Sequence, residues 1–128
     1  MATNKLDWRT KEGRAAYARA QYPNSRDKIR NWGLMAAFGI TLAEYSVMVL
    51  AQENKCAICR RPESDTRGGK TKALAVDHDH ATGKIRGLLC ARCNRALGMM
   101  EEDREMFISA IRYLDKHAGL DPIPLRTI

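Results

Sequence analysis

At 128 residues with 45% apolar composition, the chain is sized for one compact domain with a modest core, and no apolar run approaches the roughly 18 residues a membrane-spanning helix needs. The N-terminus lacks the charged-then-apolar pattern of a signal peptide, so a soluble, cytoplasmic protein with no membrane partner is expected. The net charge of +7 is unevenly placed, with eight Lys/Arg against three acids in residues 1–32 and ten against four in 55–95; this suits a polyanionic partner, although a solvated surface would explain charge alone.

In chain order, "WRTKEGRAAYARAQ" (8–21) is rich in helix formers and carries Arg9, Lys11, Arg14 and Arg19, which predicts a basic helix ended by Pro23. A second helix is expected from Asn24 or Ser25 to Gly39, with Gly33 as a weak point inside it. "TLAEYSVMVLAQEN" reads as a third: Thr41 followed by Glu44 is a capping box, and Leu42, Tyr45, Met48 and Val49 form one apolar face.

Leu74–Asp77 and Lys84–Leu89 read as two short strands joined through Thr82 and Gly83, and a short helix follows from about Ala91 to Leu97, stopped by Gly98. Beyond it, Glu101, Glu102 and Asp103 suit the positive end of a last helix and Lys116 and His117 its negative end. Phe107, Ala110, Ile111, Leu114 and Ala118 are its predicted apolar stripe, and Met99, Met100 and Met106 are read as packing residues. The tail "LDPIPLRTI" is expected to be extended.

All four cysteines fall in two C-x-x-C pairs, Cys56/Cys59 and Cys90/Cys93, the spacing by which a chain presents four thiolates to zinc. Disulfides do not suit a chain without an export signal, and a redox C-x-x-C does not explain two pairs; an iron–sulfur cluster is the remaining alternative. Four protein ligands leave no open coordination position, so zinc here is architectural and any catalysis must come from elsewhere.

Between the knuckles lies "VDHDH", and Asn94 directly follows the last cysteine. Oxygen donors from Asp77 and Asn94 suit a hard cation such as Mg²⁺ or Mn²⁺, and an imidazole can accept a proton from water at neutral pH. Strict strand alternation puts Asp77 and His78 on opposite faces, so this scheme needs the strand to end or bulge there. Taken singly, Asp79, His80, Thr82 and Asn94 have plainer readings as turn or helix-terminus residues.

The run from "CAIC" through "VDHDHATGKIRGLLCARCNRALG" resembles the HNH nucleases of the phage recombination endonuclease VII family, over about Cys56 to Gly98. "GITLAEYSVMVLAQENK" is also similar to the helix leading into that module. The resemblance implies a ββα-metal hairpin and helix around a catalytic divalent ion beside a structural zinc: a small, mostly helical α+β chain with flanking helices. By motif position, Cys56, Cys59, Cys90 and Cys93 resemble the zinc ligands, Asp77 and Asn94 the ligands of the catalytic ion, and His78 the general base. His80 matches the second histidine, assigned to phosphate positioning or support of the metal. Lys84 and Arg86 are candidate DNA-backbone contacts from charge and location.

The expected organisation is a basic helical extension (1–40), a zinc-stabilised nuclease module (41–98), and a C-terminal helix with its tail (99–128). The expected function is metal-dependent cleavage of DNA phosphodiesters by a phage or prophage protein in the bacterial cytoplasm, with a homodimer left open and junction resolution not carried over. A non-catalytic zinc-stabilised DNA-binding module is the alternative, and a thiol-redox protein a third.

Overall fold

Thr10 opens the first helix by accepting the Gly13 amide on its hydroxyl at 2.9 Å, the expected use of a hydroxyl at an N-cap. The computed structural model describes residues 10–21 and 25–119; Trp8, Arg9, Pro23 and the tail beyond Gly119 lie outside the described residues. The elements in order are α1 (Lys11–Gln21), α2 (Ser25–Phe38), α3 (Leu42–Ala51), β1 (Thr66–Arg67), β2 (Lys70–Thr71), β3 (Ala75–His78), β4 (Ile85–Leu89), α4 (Ala91–Met99) and α5 (Arg104–Ala118). The result is the small α+β architecture that the sequence implies. Among the described residues, no single helix is long and apolar enough to cross a membrane.

Helix α2 ends where Gly39 takes φ +71°, a left-handed conformation that glycine adopts without a Cβ clash. The chain then turns by 83° into α3. The capping box is as expected: Thr41 accepts the Glu44 amide at 3.1 Å, and Glu44 accepts the Thr41 amide at 2.7 Å. A residue not singled out in the sequence, Asn31 of α2, is 1% exposed and accepts the Leu42 amide at 2.8 Å. It satisfies an orphan donor in the first turn of α3 and locks the two helices at their corner.

The core is small. Tyr45, Leu74, Val76, Leu88 and Leu89 are buried together with Cys56 and Cys90, and Leu42, Met48 and Val49 pack against them as the predicted stripe requires. Leu34 and Phe38 of α2 join the same cluster, so packing runs across position 40. The Tyr45 hydroxyl donates to the Leu74 carbonyl at 2.7 Å, fixing the chain that enters β3. Gln52, just past α3, grips β4 through both faces of its amide: Oε1 accepts from Leu88 N at 2.9 Å and Nε2 donates to Leu88 O at 3.0 Å.

β3 and β4 pair antiparallel, joined by a turn in which Asp79 accepts the amides of Ala81 and Thr82 at 2.8 and 3.0 Å and Gly83 takes φ +72°. A second hairpin, β1–β2, turns on Gly68 and Gly69 at φ +58° and +76°, the doubly left-handed geometry of a two-residue hairpin loop.

Three expectations are corrected. Helix α4 runs through Gly98 to Met99, and the chain leaves it through Met100, whose amide bonds back to the helix, followed by Glu101 and Glu102, both at φ +54°. Glycine can sit inside a helix when the reversal is placed later. Of the three acids, Asp103 caps α5 by accepting the Glu105 amide at 2.9 Å, while Glu102 turns back toward β4. On α5 the predicted stripe is half-buried at Phe107 and Ala110 but open at Ala118 and at Ile111 and Leu114, which are 42% and 64% exposed, while the buried residue of the helix is Asp115, at 8%. Met99 and Met106 are likewise exposed rather than packed.

Candidate metal centre and active site

The two knuckles meet because the loop after α3 and the N-terminus of α4 converge on the base of the β3–β4 hairpin. The ligand sulfurs of Cys56, Cys59, Cys90 and Cys93 all lie within 4.8 Å of one another, and Cys59 and Cys90 are 3.9 Å apart. A tetrahedral thiolate site with zinc–sulfur bonds of about 2.3 Å has sulfurs about 3.8 Å apart, so the donor set fits zinc. The Cys90 Sγ also caps α4 by accepting the Cys93 amide at 3.4 Å, and the Cys56 Sγ accepts the Ile58 amide at the same distance.

Burial opposes ionisation of the Cys56 thiol, but the backbone amides that donate to it outweigh burial and lower it to about 6. Cys93 is pushed up to about 12, by burial first and then by its hydrogen bonds to the neighbouring sulfurs. Four sulfurs this close cannot all be thiolates without a cation between them, which is the electrostatic condition that a bound metal relieves.

Glu63, which the sequence reading passed over, ties the first knuckle to the second. One carboxylate oxygen accepts the amides of Ser64 and Asp65 at 2.9 and 2.8 Å, and the other accepts the first amide of α4, Ala91 N, at 2.7 Å. Burial would raise this carboxyl; the amides of Asp65, Ala91 and Ser64 more than reverse that and hold it below the usual range.

Above the cysteines a cavity of about 520 Å³ opens between α2, the hairpin and α4, and Asp77, His78, His80 and Asn94 all line it. The register of β3 and β4 shifts between Asp77 and His78: Asp77 pairs with Gly87, His78 with Ile85, and Arg86 is the extra residue of a bulge. The bulge bends β4, and β3 ends at His78. The His78 ring lies 5.5 Å from that of Phe38 and 4.7 Å from that of His80, so the last residue of α2 backs the imidazole.

The candidate DNA contacts divide. Lys84 is exposed, whereas Arg86, expected at the DNA backbone, is turned onto two carboxylates of the site itself. Its Nε donates to Asp77 Oδ2 at 2.7 Å and its Nη2 to Asp77 Oδ1 at 3.0 Å, while Nη2 and Nη1 reach Glu102 at 2.9 and 3.2 Å. The paired carboxylates, Asp77 first, raise the Arg86 guanidinium further above its already high value. Glu102 also approaches His80 Nε2 at 3.8 Å. Sequence reasoning assigned Glu102 to a helix end, and Phe38 to an extension outside the module; neither assignment could reveal a role set by tertiary contact.

A hairpin and a helix clamped at their base by four thiols, with a carboxylate, an amide and two imidazoles gathered at the other end, define a thiolate-stapled ββα unit. The sequence model of the recombination endonuclease VII family matches residues 32–116, and this chain belongs to that family. It is 45% identical over 91 residues to the Gene 59 protein of Mycobacterium phage D29, covering 70% of this chain and 52% of that protein. It is also 45% identical over 82 residues to the Gene 59 protein of Mycobacterium phage L5, covering 63% and 47%. The chain thus spans about half the length of the curated relatives it matches. No solved structure matches it. The relatives' names state no activity.

Proposed function

We propose that this chain is a metal-dependent HNH endonuclease that hydrolyses DNA phosphodiester bonds in a phage-infected cell. The observation that carries the reading is the bulged hairpin end, where Asp77, His78, His80 and Asn94 line one cavity above a four-cysteine cluster. Asp77 and Asn94 would hold a divalent cation; their oxygen donors suit Mg²⁺ or Mn²⁺, and the guanidinium resting on Asp77 marks that carboxylate as a seat for positive charge. When bound, such an ion supplies Lewis-acid stabilisation of charge on the phosphoryl and leaving oxygens.

The protein's own contribution is positioning and proton transfer. His78 takes a proton from the attacking water, its ring held between Phe38 and His80. His80, on the exposed rim, orients the phosphate as it enters. Lys84 on the hairpin and the basic residues of the N-terminal helices, Lys11, Arg14, Arg26, Lys28 and Arg30 among them, attract the duplex without reading its sequence. Zinc at the four cysteines supplies structure and takes no part in the reaction.

Supercoiled plasmid incubated with the zinc-loaded chain and Mg²⁺ or Mn²⁺ should be nicked or linearised, and His78→Ala should lower the rate by about 10²-fold or more. Absence of cleavage with either ion, across pH and salt, would leave a zinc-stabilised DNA-binding module as the function.

A further inference from the structure

Arg86 is the extra residue of the β-bulge, and bulges re-aim side chains. Here the bulge aims a guanidinium at a carboxylate whose side chain is 11% exposed, and a second carboxylate, Glu102, takes the adjacent edge, sharing Nη2 with Asp77. Arg86 itself is 37% exposed, so it can swing while Asp77 cannot. Glu102 reaches this point from a turn in which both it and Glu101 adopt φ +54°, strained for a residue with a Cβ.

Both oxygens of Asp77 are occupied by Arg86. A divalent ion and a guanidinium cannot share the same two oxygens without like-charge repulsion, so an ion at Asp77 requires the guanidinium to withdraw. Withdrawal would leave the guanidinium without its Asp77 partner, and Glu102 already holds it through two further hydrogen bonds.

We propose that Arg86 is an exchangeable counter-cation, neutralising Asp77 until a divalent ion arrives and then retained by Glu102 alone. Glu102 is in this scheme a positioning residue that sets how readily the site loads. The proposal rests on the assignment of Asp77 as a cation ligand, made above.

Mn²⁺ binding to the full zinc-loaded chain, measured by titration calorimetry or electron paramagnetic resonance, tests it without recourse to cleavage. Arg86→Gln removes the competitor and should tighten Mn²⁺ by about tenfold; Glu102→Gln leaves Arg86 tied to Asp77 and should weaken it by a similar factor. The double variant should match Arg86→Gln, because Glu102 acts through Arg86. General damage to the fold would move both single variants in one direction, and zinc content and the thermal transition report it separately.

Weaker or unchanged Mn²⁺ binding in Arg86→Gln overturns the proposal. So does a loss on Glu102→Gln that persists in the double variant, since that would mean Glu102 attracts the ion directly. If the wild-type chain shows no Mn²⁺ binding that Asp77→Asn abolishes, the ligand assignment itself falls and this proposal with it; Asp77-dependent binding with the wrong response to Arg86 and Glu102 sinks the exchange alone.

Discussion

Glu63 is the residue whose effect is most out of proportion to its apparent ordinariness. Its two oxygens serve three backbone amides, two in the loop after the first knuckle and one at the start of α4, so a single side chain fixes the distance between the paired cysteines. Glu63→Ala strips those donors of their acceptor and should cost about 1 kcal/mol, the size of a lost helix cap; chemical denaturation of the zinc-loaded protein measures it. Glu63→Gln should fall between wild type and alanine, because an amide keeps one acceptor oxygen but turns an NH₂ toward one set of donors. Equal stability of all three would show that water replaces the carboxylate freely. At this scale legibility was uneven for a physical reason. The four cysteines carry a chemistry so specific that spacing alone assembled them, and a multi-part motif singled out Asp77, His78 and Asn94, which line one cavity. Arg86 was not, because a basic residue on a predicted strand reads as a phosphate contact until one sees which carboxylates lie across from it.

Among the elements, the β3–β4 hairpin shows most clearly how local chemistry reaches the site. Its two strands, each within a residue of its bounds, its Gly83 turn and the start of its following helix were readable from alternation and turn residues, but the shift between Asp77 and His78 leaves no mark in the sequence. What holds β4 is Gln52, whose amide bonds both the N–H and the C=O of fully buried Leu88. Gln52→Leu, close in size, should leave the Leu88 N–H without an acceptor, while the C=O keeps the Ala57 amide at 3.0 Å, and cost about 2 kcal/mol. Its clearest signature is faster hydrogen exchange at the Leu88 amide than elsewhere in the hairpin, and unchanged exchange there would refute the anchor. Gln52 lay unread at the end of an obvious helix, and Asn31 likewise lay inside one; a polar residue on a helix betrays burial only when its partner, here the Leu42 amide, is known. The β1–β2 hairpin had a signal in its paired glycines that the reading did not use, while the α5 stripe shows the converse, a strong pattern that the described chain leaves partly uncovered.

We expect the molecule as a whole to depend on a metal at its four cysteines, because the core among the described residues is small. Among the described residues, five apolar side chains and two cysteines make up the buried cluster, so part of what would be hydrophobic core in a larger domain is here the base of the ligand set. In such a chain the free energy of binding zinc is free energy of folding. Cys90 concentrates this dependence, being at once buried, a ligand candidate and the N-cap of α4. Cys90→Ala removes all three contributions, whereas Cys90→Ser keeps the cap and loses the thiolate, so the pair separates metal from capping. Both should lose the cooperative thermal transition; a cooperative, native-like melt in Cys90→Ser would mean that the cap, and not the metal, organises the base. Acid should act in the same direction as the substitutions. Each sulfur must be deprotonated to bind, so zinc affinity falls as pH falls, and stability must fall with it rather than after it. Following zinc release with a chromogenic chelator alongside circular dichroism should therefore show one transition on acidification, and release of zinc well before loss of structure would separate the metal from the fold.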